Sequence, residues 1–71
     1  MLILTQDGNI VNLERMATID TMALQIYARQ CINERGIVLG SYNTESRCYE
    51  IIGNIFDDYC CDERIFKMPE E

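Results

Sequence analysis

The sequence contains no histidine and no tryptophan, and it has a single proline. Without histidine, the Ser–His and Cys–His pairs of nucleophilic catalysis cannot be assembled. The four glycines stand apart, so neither of the common glycine-rich phosphate-binding motifs occurs. These absences predict a protein that is not an enzyme and that holds no cofactor.

Long apolar runs and basic residues are also scarce. No stretch approaches the ~20 apolar residues that a membrane span needs. Six lysines and arginines stand against twelve acidic residues, which gives a net charge of −6. An acidic chain is repelled by phosphate backbones. We therefore expect neither direct nucleic-acid binding nor a membrane partner.

Four cysteines are present without the spacing of a disulfide framework or a zinc site. No C-x-x-C pair occurs, Cys60 and Cys61 are adjacent, and no basic signal-peptide region precedes the apolar Met1–Leu4. This pattern favours reduced thiols in the cytoplasm, with no bound metal.

A chain of 71 residues predicts one small domain over residues 1–71. Asp7-Gly8 lies between two apolar, β-prone runs, which predicts a hairpin over residues 1–13 with a two-residue type I′ turn. Ile65–Met68, before Pro69, is a candidate last strand. So small a core is marginally stable, and we therefore expect a homo-oligomer.

Residues 14–32 fit two interpretations. As a helix, the segment would place on one face Leu13, Met16, Ala17, Ala23, Leu24, Tyr27, Ala28 and Cys31. As strands, it would alternate Leu24, Ile26, Ala28 and Ile32 with polar neighbours, after an earlier short strand at Ile19. Periodicity alone does not decide between them. Asn33–Gly36 is predicted as a turn and Ile37–Tyr42 as a strand.

The clearest helical pattern lies in the second half of the chain. Asn43 or Thr44 can cap its N-terminus, and apolar residues follow at Cys48, Ile52, Ile55 and Tyr59. This spacing predicts an amphipathic helix over about residues 45–59. Gly53 lowers its helix propensity, and close packing against a sheet is the expected compensation.

Three segments resemble a family of very small proteins of Gram-positive bacteria and their phages. They are the opening MLILTQDGNIVNL, the strand–helix junction VLGSYNTESRCYEII (Val38–Ile52) and the ending IFKMP (Ile65–Pro69). The resemblance implies an α+β fold, with a curved antiparallel sheet of about four to five short strands and one helix. It favours strands within about residues 17–42, and it implies a phage or prophage protein in the bacterial cytoplasm.

The preferred functional hypothesis is an accessory protein that antagonises a host protein, with defence proteins as the leading target class. A protein-binding acidic face is predicted at Glu50, Asp57, Asp58, Asp62 and Glu63, of which the first three share one side of the helix. The alternative for these carboxylates is a solvated face that maintains solubility.

Two further hypotheses remain open. An oligomer could sequester a small nucleotide, with phosphate-binding arginines and stacking tyrosines drawn from Arg15, Arg29, Arg35, Tyr27 and Tyr42. Alternatively, the chain could form a structural homo-oligomer through a sheet face or edge.

Overall fold

The structure is a computed structural model that describes residues 1–31 and 35–71. Six strands and one helix follow in the order β1 (Leu2–Leu4), β2 (Ile10–Asn12), β3 (Thr18–Met22), β4 (Gln25–Arg29), β5 (Ile37–Ser41), α1 (Glu45–Cys60) and β6 (Ile65–Lys67). A short 3-10 turn, Leu13–Arg15, links β2 to β3. The predicted α+β class is confirmed.

The strands form two three-stranded sheets instead of the single sheet that was expected. In the first sheet β1 lies in the centre, antiparallel to β2 and parallel to β6. In the second sheet β4 lies between β3 and β5, both antiparallel to it, with a bulge at Ile26/Tyr27. Within residues 1–31 and 35–71 the strand count is therefore six, slightly more than the four to five that were predicted.

One core lies between the helix and the inner faces of the two sheets. The first sheet contributes Ile3, Val11 and Phe66, and the helix contributes Cys48, Ile51 and Ile55. The remaining buried apolar residues are Ile26, Ala28, Leu39, Tyr42 and Met68. This arrangement explains the alternation along β1, in which Ile3 is fully buried and its neighbour Leu2 is exposed.

The first hairpin is present, but its turn differs from the predicted type I′ turn. The Gly8 N–H donates to the carbonyl of Thr5 at 3.1 Å, and Gly8 has a φ of +86°. Asp7 has no positive φ, which a type I′ turn would require at that position. The loop instead has three residues, with glycine in the left-handed position of a bulge.

The ambiguous segment is a hairpin of β3 and β4, so the strand interpretation is correct and the helix interpretation is wrong. Its two-residue turn consists of Ala23 and Leu24, with φ values of +52° and +64°. The predictions that involved Ile32, Asn33 and Glu34 fall outside the described residues.

The helix begins at Glu45, as predicted, and ends at Cys60, one residue beyond the predicted end. Thr44 caps the N-terminus by accepting a hydrogen bond from the Arg47 N–H at 3.1 Å. At the other end, the N–H groups of Asp62 and Glu63 donate to the carbonyls of Tyr59 and Asp58. This is the Schellman arrangement, with Asp62 at a φ of +59° where glycine is more usual.

Gly53 does not pack closely against a sheet, so the expected compensation for this residue is wrong. A Cβ atom built on Gly53 would meet nothing within 4 Å. In the part of the chain that is described, no helix has the length and apolar character needed to cross a membrane.

Candidate functional site

The helix exposes more aromatic surface than its packing requires. Its buried positions are Cys48, Ile51 and Ile55. Tyr49, Phe56 and Tyr59 remain 58%, 67% and 46% exposed, respectively. Since large aromatic side chains contribute most when they are buried, the exposed rings of Phe56 and Tyr59, one turn apart on the helix, indicate a contact surface.

Phe56 and Tyr59 border an open groove of about 460 Å³ between α1, the 3-10 turn and the start of β3. Ile52, Phe56 and Tyr59 follow i, i+4, i+7 spacing, so they share one side of the helix. Across from them lie Leu13, Met16 and Ile19. The other lining residues are Glu14, Ala17, Thr18 and Ile55.

The floor of this groove is continuous with the core. Leu13, Met16, Ile19 and Ile52 are half-buried and pack against core residues. The floor is therefore held in place by the fold, while the ring of Phe56 stands at the rim. We call this feature the helix groove.

One end of the helix groove is acidic. A neighbouring concavity shares Glu14 and Tyr59 with it and is also lined by Asp62 and Glu63. Two groups offset this charge in part: Arg64 lies in the same concavity, and the Met1 nitrogen donates to Glu14 Oε1 at 3.1 Å. Three carboxylates against these two cationic groups leave the end of the groove acidic.

The structure divides the predicted acidic face into two parts. Asp62 and Glu63 lie beside the end of the helix groove. None of the other three predicted residues, Glu50, Asp57 and Asp58, lines it. Glu50 accepts a hydrogen bond from Arg47 Nη1, Asp57 is exposed and Asp58 is half-buried.

The residues predicted to bind a nucleotide differ in their exposure and in their partners. Arg29 and Tyr27 meet on the second sheet, with the guanidinium carbon 5.7 Å from the ring centroid. Arg29 Nη1 also lies 3.7 Å from Asp20 Oδ2, so its charge already has a carboxylate partner. Arg15, on the 3-10 turn, and Arg35, before β5, are both exposed.

Tyr42, the other tyrosine predicted to stack on a base, is buried. Its side chain is only 6% exposed, and its hydroxyl donates to the Pro69 carbonyl at 2.7 Å. Burial raises the pKa of the Tyr42 phenol above its ordinary value, although the charge of Arg47 opposes this change. The residue belongs to the structural core.

The four cysteines are all free thiols, of which only Cys48 is buried. Within residues 1–31 and 35–71, no three side chains of the His, Cys, Asp or Glu type gather in a way that could hold a metal ion.

Comparisons with known proteins find no matching family model, no matching curated protein and no matching solved structure.

Reasoning from the sequence missed the helix groove. The available signal was the width of the apolar pattern on α1, because Phe56 and Tyr59 add apolar surface beyond the one stripe that is buried. The floor of the groove could not be predicted in the same way, since Leu13, Met16 and Ile19 lie in or next to the segment whose secondary structure was ambiguous.

Proposed function

We propose that the protein acts without catalysis, by binding a basic amphipathic segment of a partner protein in the helix groove. The observation that carries this proposal is the 67% exposed ring of Phe56 beside a groove whose floor is apolar and fixed by the core. Aromatic side chains, phenylalanine among them, are enriched in protein–protein interfaces.

The shape of the helix groove favours a segment with one apolar side. Amphipathic segments bind such grooves through apolar anchors at helical spacing, while their polar side stays in water. Those anchors would contact the floor residues Leu13, Met16 and Ile19 and the exposed rings of Phe56 and Tyr59.

The charge around the helix groove favours a basic segment. Glu14, Asp62 and Glu63 lie at one end of it, and the whole chain carries −6. Complementary charge raises the rate of encounter and selects against acidic partners. The predicted role of Asp62 and Glu63 in protein binding is retained in this proposal.

The resemblance to small phage proteins supplies the proposed setting. In the bacterial cytoplasm, the partner would be a host protein, with defence proteins as the leading class. Occupying a basic segment that the host protein uses for its own contacts would inhibit it.

A labelled Leu/Lys peptide that forms an amphipathic helix tests this function by fluorescence anisotropy. We expect it to bind the wild-type protein, with an affinity that falls as salt is added. The control peptide has the same composition, in an order that destroys the apolar side, and it should bind far more weakly. Equal binding of the two peptides, or no binding of either, would contradict the proposal.

Two matched variants locate the binding site. Phe56→Ser removes an exposed ring from the helix groove, and Tyr49→Ser removes one from the same helix outside the groove. We expect Phe56→Ser to weaken binding by at least about 10-fold, as at interface hot spots. Tyr49→Ser should retain the wild-type affinity.

A further inference from the structure

The outer face of the first sheet carries a second apolar surface, separate from the helix groove. Leu2 is 40% exposed, Ile10 68% and Ile65 62%, and Leu4 is half-buried. Leu4 pairs with Ile10 on β2, and Leu2 pairs with Ile65 on β6. The four side chains therefore form one diagonal across the sheet, which we call the apolar diagonal.

The two remaining corners of this face are polar. Leu2 also pairs with Asn12, and Leu4 with Lys67, so these two residues lie on opposite sides of the apolar diagonal. No strand residue on this face is acidic within β1, β2 and β6, all of which the structure describes. In a chain with twelve acidic residues, this surface is distinct in charge.

We propose that this face binds the same face of a second copy of the chain, about a two-fold axis that runs along the apolar diagonal. Such an axis places the diagonal of one copy on the diagonal of the other, as in face-to-face sheet packing. It also places Asn12 of each copy opposite Lys67 of the other copy.

The two polar corners favour a second copy of the chain as the partner that binds this face. An ammonium group donates hydrogen bonds, and an amide oxygen accepts them. Asn12 Oδ1 already accepts one bond from the Glu14 N–H at 3.1 Å and has a second lone pair for the lysine. A two-fold axis across the diagonal would instead bring Lys67 against Lys67, which is unfavourable.

This face also differs from the helix groove in its charge. A basic segment has no attraction to a surface whose single charge is Lys67, whereas two copies can meet here without opposing carboxylates. The contact area is small, so we expect a weak dimer that forms as concentration rises.

Sedimentation velocity over a concentration series tests this inference. A reducing buffer prevents disulfide bonds between the exposed cysteines of different copies. We expect the wild-type sedimentation coefficient to rise toward the dimer value. Ile10→Glu and Ile65→Glu should each remain monomeric, and circular dichroism should show that both still fold. Phe56→Ser, equally exposed but outside this face, should dimerise like the wild type.

Asn12→Asp tests the orientation of the two copies. Aspartate caps a turn as well as asparagine does, and here it would face Lys67 of the second copy. We expect dimerisation to strengthen by roughly two- to thirty-fold at low salt, because the two-fold dimer would gain two exposed ion pairs. Weaker dimerisation would overturn the proposed axis, because it would mean that like charges meet.

Three results would overturn the inference of a dimer through this face. The first is a wild-type monomer at every concentration, and the second is a dimer that survives both glutamate variants. The third is a dimer that Phe56→Ser abolishes, since that would place the contact in the helix groove. We expect the monomeric Ile10→Glu variant still to bind the Leu/Lys peptide in the helix groove. Loss of dimerisation can therefore be distinguished from failure of the proposed function.

Discussion

The hydroxyl of Tyr42 fixes the chain that follows β6. It donates to the Pro69 carbonyl at 2.7 Å, and Gln6 Nε2 donates to the same oxygen at 2.9 Å. Tyr42→Phe removes one partly buried hydrogen bond but leaves that carbonyl with a partner. We expect a loss of about 1 kcal/mol in the free energy of unfolding, measured by urea denaturation at neutral pH. Tyr49→Phe, at an exposed tyrosine, should cost almost nothing.

The same residue gives a pH dependence. Burial raises the pKa of Tyr42 in the folded protein, whereas the phenol in the unfolded chain ionises near its ordinary pKa of about 10. Stability from this group is complete below that value and is lost as pH rises toward the folded pKa. The stability advantage of the wild type over Tyr42→Phe should therefore shrink above about pH 10. An advantage that stays constant or grows would contradict this assignment, since the other titrating groups are common to both proteins.

Gly53 weakens the helix without a packing role. A Cβ atom at this position meets nothing within 4 Å, and alanine in a helix interior is favoured over glycine by about 1 kcal/mol. We expect Gly53→Ala to raise the free energy of unfolding by about that amount, as measured by urea denaturation. A loss of stability would show that this face of the helix has a contact that the account omits.

At the scale of elements, the turn between β3 and β4 is strained. Ala23 and Leu24 both have positive φ, a conformation that costs residues with a side chain roughly 1–2 kcal/mol. Asparagine and glycine are the residues that favour such a turn. We expect Ala23→Asn with Leu24→Gly to raise the melting temperature and to stabilise the fold by about 1–2 kcal/mol.

A matched pair of single variants isolates the cause of that gain. Leu24→Asn and Leu24→Ser remove the same exposed apolar side chain, but only asparagine favours positive φ. Asparagine should therefore give the more stable protein. Equal stability of the two variants would mean that backbone strain at Leu24 is negligible.

This turn also shows where prediction from the sequence ends. The first hairpin could be predicted because Gly8 favours positive φ, although its exact turn could not. Ala23 and Leu24 carry no such signal, and the conformation is supported by a distant contact, in which the Tyr42 N–H donates to the Leu24 carbonyl at 2.9 Å. The helix was predicted to within one residue because its cap and its periodicity are local features.

At the scale of the whole molecule, the division into two sheets could not be predicted. It depends on the parallel pairing of β1 with β6, which joins Leu2 to Ile65 from opposite ends of the sequence. That pairing creates the apolar diagonal. The helix groove likewise combines α1 with a segment that lies thirty or more positions earlier in the sequence. Local sequence patterns identified the acidic residues at the end of the helix groove, but they did not identify its apolar floor.

The helix groove and the apolar diagonal share no residue. Binding of a basic segment and self-association are therefore compatible, and a dimer would present two grooves. Two linked sites raise the avidity for a partner that offers two basic segments.

The most direct test of the proposed function is a titration of the ¹⁵N-labelled protein with the amphipathic Leu/Lys peptide, followed by amide chemical shifts. We expect the largest changes at Met16, Ile19, Ile52, Phe56 and Tyr59, with smaller changes at Asp62 and Glu63. Changes centred on Glu50 and Asp57, with the helix groove unaffected, would contradict it. They would assign binding to the outward acidic side of the helix.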